Sequence, residues 1–168
     1  RELAERIAAT LPASAHVARW VDFELDHFRS RWRALMRGDL PEKTADELDS
    51  NDLRDANLIL WGDPESNSMI AEIASKLPVE WKEDSFVLHG TSYPRDAHVP
   101  ILIFPTPLNP DRYVVLNSGL TFREGHDKTN SLQNPKLPDW AVIGLDRDPD
   151  ALAPGRIAAA GFFDEEWK

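Results

Sequence analysis

There is no cysteine among the 168 residues, which excludes disulfides, thiolate nucleophiles and Cys-ligated metals. No apolar run approaches the roughly 20 residues of a membrane span, and no signal-peptide pattern opens the chain. Bases are outnumbered, Lys+Arg 19 against Asp+Glu 29 for a net charge of −10, so the clustered cations that track a phosphate backbone are missing. Neither nucleic acid nor an anionic membrane is expected as a partner. Glycine is scarce, at 8 residues, and no two stand in Gly-x-Gly spacing, which removes the fingerprint of NAD, FAD and P-loop nucleotide sites. The histidines His16, His27, His89, His98 and His126 show no metal-ligand spacing, and no His-Glu-x-x-His occurs. Asp146-Arg-Asp148-Pro-Asp150 imitates a calcium loop but fails at Ala151, where glycine is needed, and at Ile157, where the bidentate Glu should stand. Neither metal nor cofactor is expected.

What remains is a packable chain with 42% apolar residues and six Trp, one domain's worth of length. The expectation is a single domain over 1–168, with a helical lead-in at 1–38 and a sheet-forming core at 57–168. It opens on Arg rather than Met, as expected of a piece of a longer protein. Leu3, Ile7 and Leu11 recur every four positions and predict a short helix over 1–11 that Pro12 ends. A stronger helix follows from a Ser14 cap to a Gly38 stop. Its apolar stripe is Val17, Val21, Leu25, Phe28, Trp32, Leu35 and Met36, and its acids precede its bases in accord with the helix dipole. Between Asp39 and Asp55 seven acids face only Lys43 and Arg54, a solvated connection with one helical turn at the Thr44/Glu47 capping box.

Asn57-Leu-Ile-Leu-Trp61 is a continuous apolar run, the pattern of a strand buried on both faces. Gly62 to Glu65 break it, and Ser66 or Asn67 caps a helix that Pro78 terminates. Nine of the thirteen prolines lie from Pro94 onward, and strands replace helices. Ser85–His89, Val99–Phe104, Arg112–Asn117, Trp140–Asp146 and Arg156–Phe163 are short, apolar and bounded by turn residues. The alternation predicts an α/β, three-layer Rossmann-like sandwich, mainly parallel, with an antiparallel C-terminal hairpin.

Parallel strands would bring three polar loops to one crevice at their carboxyl ends. Those loops hold Asp63, Ser66 and Asn67; Asn109; and Asn117 with Ser118, and His126 is the nearest imidazole along the chain. Together they are the candidate binding residues. The plainer account is that Ser66 and Asn67 cap and Asn117 satisfies backbone groups. Ser118 lacks a Gly-x-Ser-x-Gly elbow, so no catalytic nucleophile is assigned. Of the tryptophans, Trp81 and Trp167 are the freest to meet a peptide or carbohydrate.

Several phrases taken together, Asn57-Leu-Ile-Leu-Trp-Gly-Asp-Pro-Glu-Ser-Asn67, Leu77-Pro78, Pro105-Thr-Pro-Leu-Asn-Pro110, Arg112-Tyr-Val-Val-Leu-Asn-Ser-Gly119 with Thr121-Phe122, Leu137-Pro-Asp-Trp140 and Ala160-Gly-Phe-Phe-Asp164 with Trp167, resemble the C-terminal region of prolyl-oligopeptidase-like α/β-hydrolases of planctomycete-type bacteria. The likeness spans roughly residues 16 to 168. It implies a noncatalytic accessory domain downstream of a serine hydrolase domain, exported to the periplasm or beyond, with that catalytic domain or another protein as partner. Relatives tend to carry His after the Asn-Ser-Gly, where Leu120 stands here, which weakens any catalytic role for that loop. The alternative is a self-contained hydrolase of ester or peptide bonds using the crevice itself.

Overall fold

The computed structural model describes residues 5–9, 14–121, 123–127 and 137–168. Its centre is β2 (Asn57–Trp61), whose residues Leu58 to Trp61 are all buried. Parallel neighbours flank it on both sides, β1 (Glu5–Ala9) and β7 (Tyr113–Leu116). Beyond β7 the direction reverses. β6 (His98–Pro105), β8 (Trp140–Gly144) and β9 (Arg156–Gly161) follow by antiparallel pairing, giving the order β1-β2-β7-β6-β8-β9. A second sheet of β3 (Val79–Trp81), β4 (Ser85–Leu88) and β5 (Thr91–Pro94) is wholly antiparallel.

This overturns the expectation of a mainly parallel Rossmann-like sandwich: the fold is mixed α/β with mostly antiparallel pairing. A parallel connection needs a crossover of a dozen or so residues, usually helical, and after Pro78 the chain supplies almost none. The turn between β6 and β7 is short and closes on itself, Thr106 N–H donating to Arg112 O and Arg112 N–H to Asn109 O. Only antiparallel strands can be joined that way. Apolar runs misled because both faces of this sheet are covered, so its antiparallel strands lost the polar alternation that would have marked them.

Alternate residues feed two cores. Leu58, Leu60, Leu102, Val114, Leu116 and Val142 pack toward α3 (Ser68–Ile73) and the small sheet, meeting Met69, Ile70, Ile73, Phe86 and Leu88. On the other face Ile59, Trp61, Val99, Ile101, Ala141 and Ile143 meet Val17, Trp20, Val21, Leu25 and Phe28 of α1 (Ala15–Met36). Ser14 occupies the start of α1 without a side-chain cap bond, and the helix ends on Arg37 in the left-handed region, one residue before the expected Gly38. α3 begins on Asn67, whose side chain accepts from Met69 and Ile70 N–H as a capping residue should.

At the amino end, Glu5–Ala9 is a strand rather than part of a helix. Three apolar residues at helical spacing are a thin signal beside the ladder that β2 offers; Leu3 and Leu11 lie outside the described residues. In the acidic connection the Thr44/Glu47 box forms as expected, and a second box at Asp49/Asp52 starts the short α2 (Ser50–Asp55). No described helix is long and apolar enough to cross a membrane.

Because Ile59 is only 4% exposed in a doubly covered strand, Ile59→Asp should abolish folding. An unpaired buried charge costs several kcal/mol, and loss of the cooperative transition in thermal unfolding is the expected result.

Candidate functional site

At the carboxyl ends of β2 and β7 the chain turns on Asn117, which is 1% exposed and holds a left-handed φ of 51°. Its backbone N–H donates to Leu60 O. The side-chain oxygen accepts from Gly62 N–H at 2.8 Å, and the amide donates to Gly62 O at 3.0 Å and Pro100 O at 3.2 Å. Three strand ends are thereby tied together, and both polar atoms of the side chain are engaged by the backbone.

The neighbouring loop is equally committed. Asp63 accepts from Ser66 Oγ and from Glu65 and Ser66 N–H, and pairs with Arg95 at 3.0 Å, which also reaches Glu65. Asn67 caps α3 and donates to Trp61 O. Asp63, Ser66, Asn67, Asn117 and Ser118 are thus brought to one end of the sheet. Asn109 is not. Because β6 runs antiparallel with Pro105 opposite Tyr113, its loop lies at the opposite pole, where the Asn109 amide donates to Leu53 O and Arg54 O. The expected convergence of three loops is therefore corrected to two. His126 falls in the turn Glu124–His126, and its side chain lies outside the described residues. Trp81 and Trp167 are both half-buried in ring contacts, Trp81 with Phe86 and Trp167 with Phe104, Tyr113 and Phe163.

Ser118 leads instead into a cavity of about 160 Å³ between α1 and the loop that follows β7. Its walls are largely apolar, Phe28, Ile101, Leu120, Leu137, Leu152 and Ile157 among them, with Glu24, His27, Ser118, Thr121 and Arg123 as polar members. Two charge pairs and a hydrogen bond bind this loop to one face of α1: Glu24 with Arg123, Arg31 with Asp127 in a two-bond fork at 2.8 and 2.9 Å, and the His27 imidazole with Glu124 at 3.2 Å. Gly119 is what lets the loop approach, since a Cβ there would lie 2.3 Å from the Phe28 ring. Glu24, His27 and Arg123 were not among the candidates. Glu24 left a readable signal, because it sits three residues after Val21 and seven after Val17, on the apolar stripe itself.

Burial pushes the Glu24 carboxyl above its ordinary value, against the pull of the Arg123 hydrogen bond and charge. His27 is held below 6.5, mainly by burial and then by the Arg123 charge, with Glu124 opposing. Hydrogen bonding to Asp127 raises Arg31, and the same contact lowers Asp127.

The chain matches no family model, no curated protein and no solved structure. Its chemistry is read from its own geometry. Among the described residues no imidazole bonds to Ser118: His27 Nε2 meets Glu124 and His98 Nδ1 meets Pro94 O. No group of three or more His, Asp or Glu side chains there could hold a metal ion.

Three outcomes are expected. Asn117→Ala should cost about 3 kcal/mol in chemical denaturation, since it strips partners from buried backbone groups and leaves alanine in a left-handed conformation. Gly119→Ala should cost about 1–3 kcal/mol by driving a methyl into Phe28. For His27 the unfolded state binds more protons wherever the pH lies between the lowered folded value and 6.5, so its contribution to stability falls on acidification through that window. The imidazole resonance should titrate with a midpoint below 6.5, and His27→Asn should remove that part of the pH slope.

Proposed function

We propose that this chain is a noncatalytic interaction domain of a larger serine hydrolase, a peptidase or esterase, and that it docks on, supports or shields the catalytic part. The observation that carries the docking role is the outer edge of β9, the last strand of the large sheet, with no strand beyond it among the described residues. Native sheets usually guard such an edge with lysine, proline or inward-pointing charge. Here Arg156, the only charge on the strand, is drawn to Asp146, and Ala158, Ala159 and Ala160 follow it. Ile157 is 46% and Phe162 76% exposed alongside. An extended segment of a partner can add to an edge of this kind through main-chain hydrogen bonds, with apolar side chains setting register. The hydrolase parentage comes from the sequence resemblance, and a Gly-x-Ser-x-Gly segment upstream of Arg1 in the reading frame is its direct check.

A self-contained hydrolase is the second reading, favoured by the presence of Ser118, His27 and Glu24 around one cavity. The two separate on turnover. The chain alone should cleave p-nitrophenyl acetate no faster than buffer containing free imidazole, and Ser118→Ala should leave that rate unchanged. A saturable esterase activity lost in Ser118→Ala would establish the second reading.

A further inference from the structure

We propose that the cavity between α1 and the Ser118–Arg123 loop is a binding site for a small neutral aromatic alcohol of the phenol class. Glu24 is 7% exposed. One of its oxygens, Oε2, accepts from Arg123 Nη2, while the other, Oε1, is buried without a hydrogen-bond partner among the described residues. A buried acceptor left in that state is costly, and a donor entering the cavity recovers the loss. Ser118 stands in the same lining and can donate to the oxygen of the same hydroxyl group.

Charge and size narrow the ligand. Arg123 already neutralises Glu24 and gives a second bond to Asp150 O, so an ammonium group would bring an uncompensated positive charge. An anion would meet the free carboxylate oxygen. A neutral hydroxyl meets neither penalty. The rest of the lining is mostly apolar, with Phe28, Ile101, Leu120 and Leu137 inside, the exposed Leu152 and Ile157 also lining it, and His27 and Thr121 as further polar members; about 160 Å³ is the room of one benzene ring, given that an apolar cavity of roughly 150 Å³ holds benzene. An apolar cavity of that size prefers a hydrocarbon to a phenol. The carboxylate oxygen and the serine invert that preference here, which makes the order of affinities diagnostic. The cavity shares Ile157 with the proposed docking edge, but the assignment does not rest on that role, and its test involves neither a partner nor an ester.

The chain is titrated with phenol and, separately, with toluene, by calorimetry and by backbone amide shifts. Phenol should saturate one site and bind about tenfold or more tightly than toluene, shifting the amides of Gly119, Leu120 and Ala153. Glu24→Gln, which turns the free acceptor into a donor or removes its charge, should erase the preference for phenol. Should that variant unfold, Ala153→Leu keeps the question open to answer: it adds bulk to the cavity wall at a residue that is itself in no ion pair, and should abolish phenol binding while the unfolding temperature stays within a few degrees. No saturation by phenol at about 10 mM, toluene binding as tightly as phenol, or undiminished binding in Ala153→Leu would each overturn the proposal, the first result leaving water as the partner of Glu24.

Discussion

The carboxamide of Asn117 is the constraint on which the upper end of the molecule rests. Through one side chain it joins the Gly62 peptide after β2 to the Pro100 carbonyl of β6, while its own backbone continues the ladder to Leu60. Only a side chain with both a donor and an acceptor can serve the two sides of Gly62, and asparagine is also the non-glycine residue most at ease in a left-handed conformation. That conformation ends β7 and turns the chain back over α1. Gly119 then passes against the face of Phe28, where any side chain would collide. The position of the whole following loop descends from these two residues.

Three side-chain pairs hold that loop to α1, and they are not equivalent. His27–Glu124 and Arg31–Asp127 each have one partner well exposed, whereas Glu24 and Arg123 are both buried. Burial of two charges costs about as much as their attraction returns, so the Glu24–Arg123 pair adds little to stability. What it fixes is register: Glu24, His27 and Arg31 advance along one helix face while Arg123, Glu124 and Asp127 advance along the loop, and a slip by one position would mismatch the pairs. The free oxygen of Glu24 is a by-product of that arrangement, since the Arg123 guanidinium is shared with Asp150 O.

Much of this was legible in the residues, though unevenly. The doubly buried strand at Asn57–Trp61, the Asn67 cap and the β8–β9 hairpin follow from local pattern and turn chemistry, and the structure has them. Strand direction was not legible, because an apolar run reads the same in either direction and the polar alternation of an antiparallel strand vanishes when both faces are covered. That single ambiguity moved Asn109 to the wrong pole. Asn117 was put forward as a binding residue, with the satisfaction of backbone groups as the plainer account; the bonds it makes are of the second kind, and they depend on Pro100 and Gly62 lying within reach, which only the assembled sheet supplies. Glu24 was visible as an acid on an apolar stripe and was absorbed into the dipole pattern of α1. β3 and β5 escaped because Val79-Glu-Trp81 and Thr91-Ser-Tyr-Pro94 are too short and too polar to stand out, and they form because β4 lies between them.

The mixed sheet also explains where space for a ligand can open. In a parallel sheet every loop at the carboxyl end leaves in the same direction, so a crevice forms along the crest. Here β6 and β9 run the other way, while β8 runs with β2 and β7 and sends the β8–β9 loop to that end, beside the loops after β2 and β7. Those two loops are tied to each other by Asn117, which closes the crest. Free volume appears instead on the α1 side of that end, between the helix, the chain after β7 and the β8–β9 loop. Its chemistry is set by what α1 presents among Val21, Leu25 and Phe28, so the residues that decide what enters belong to the helix and to Ser118, and the strand-end acids and amides around Asp63 serve to hold the frame in which they stand.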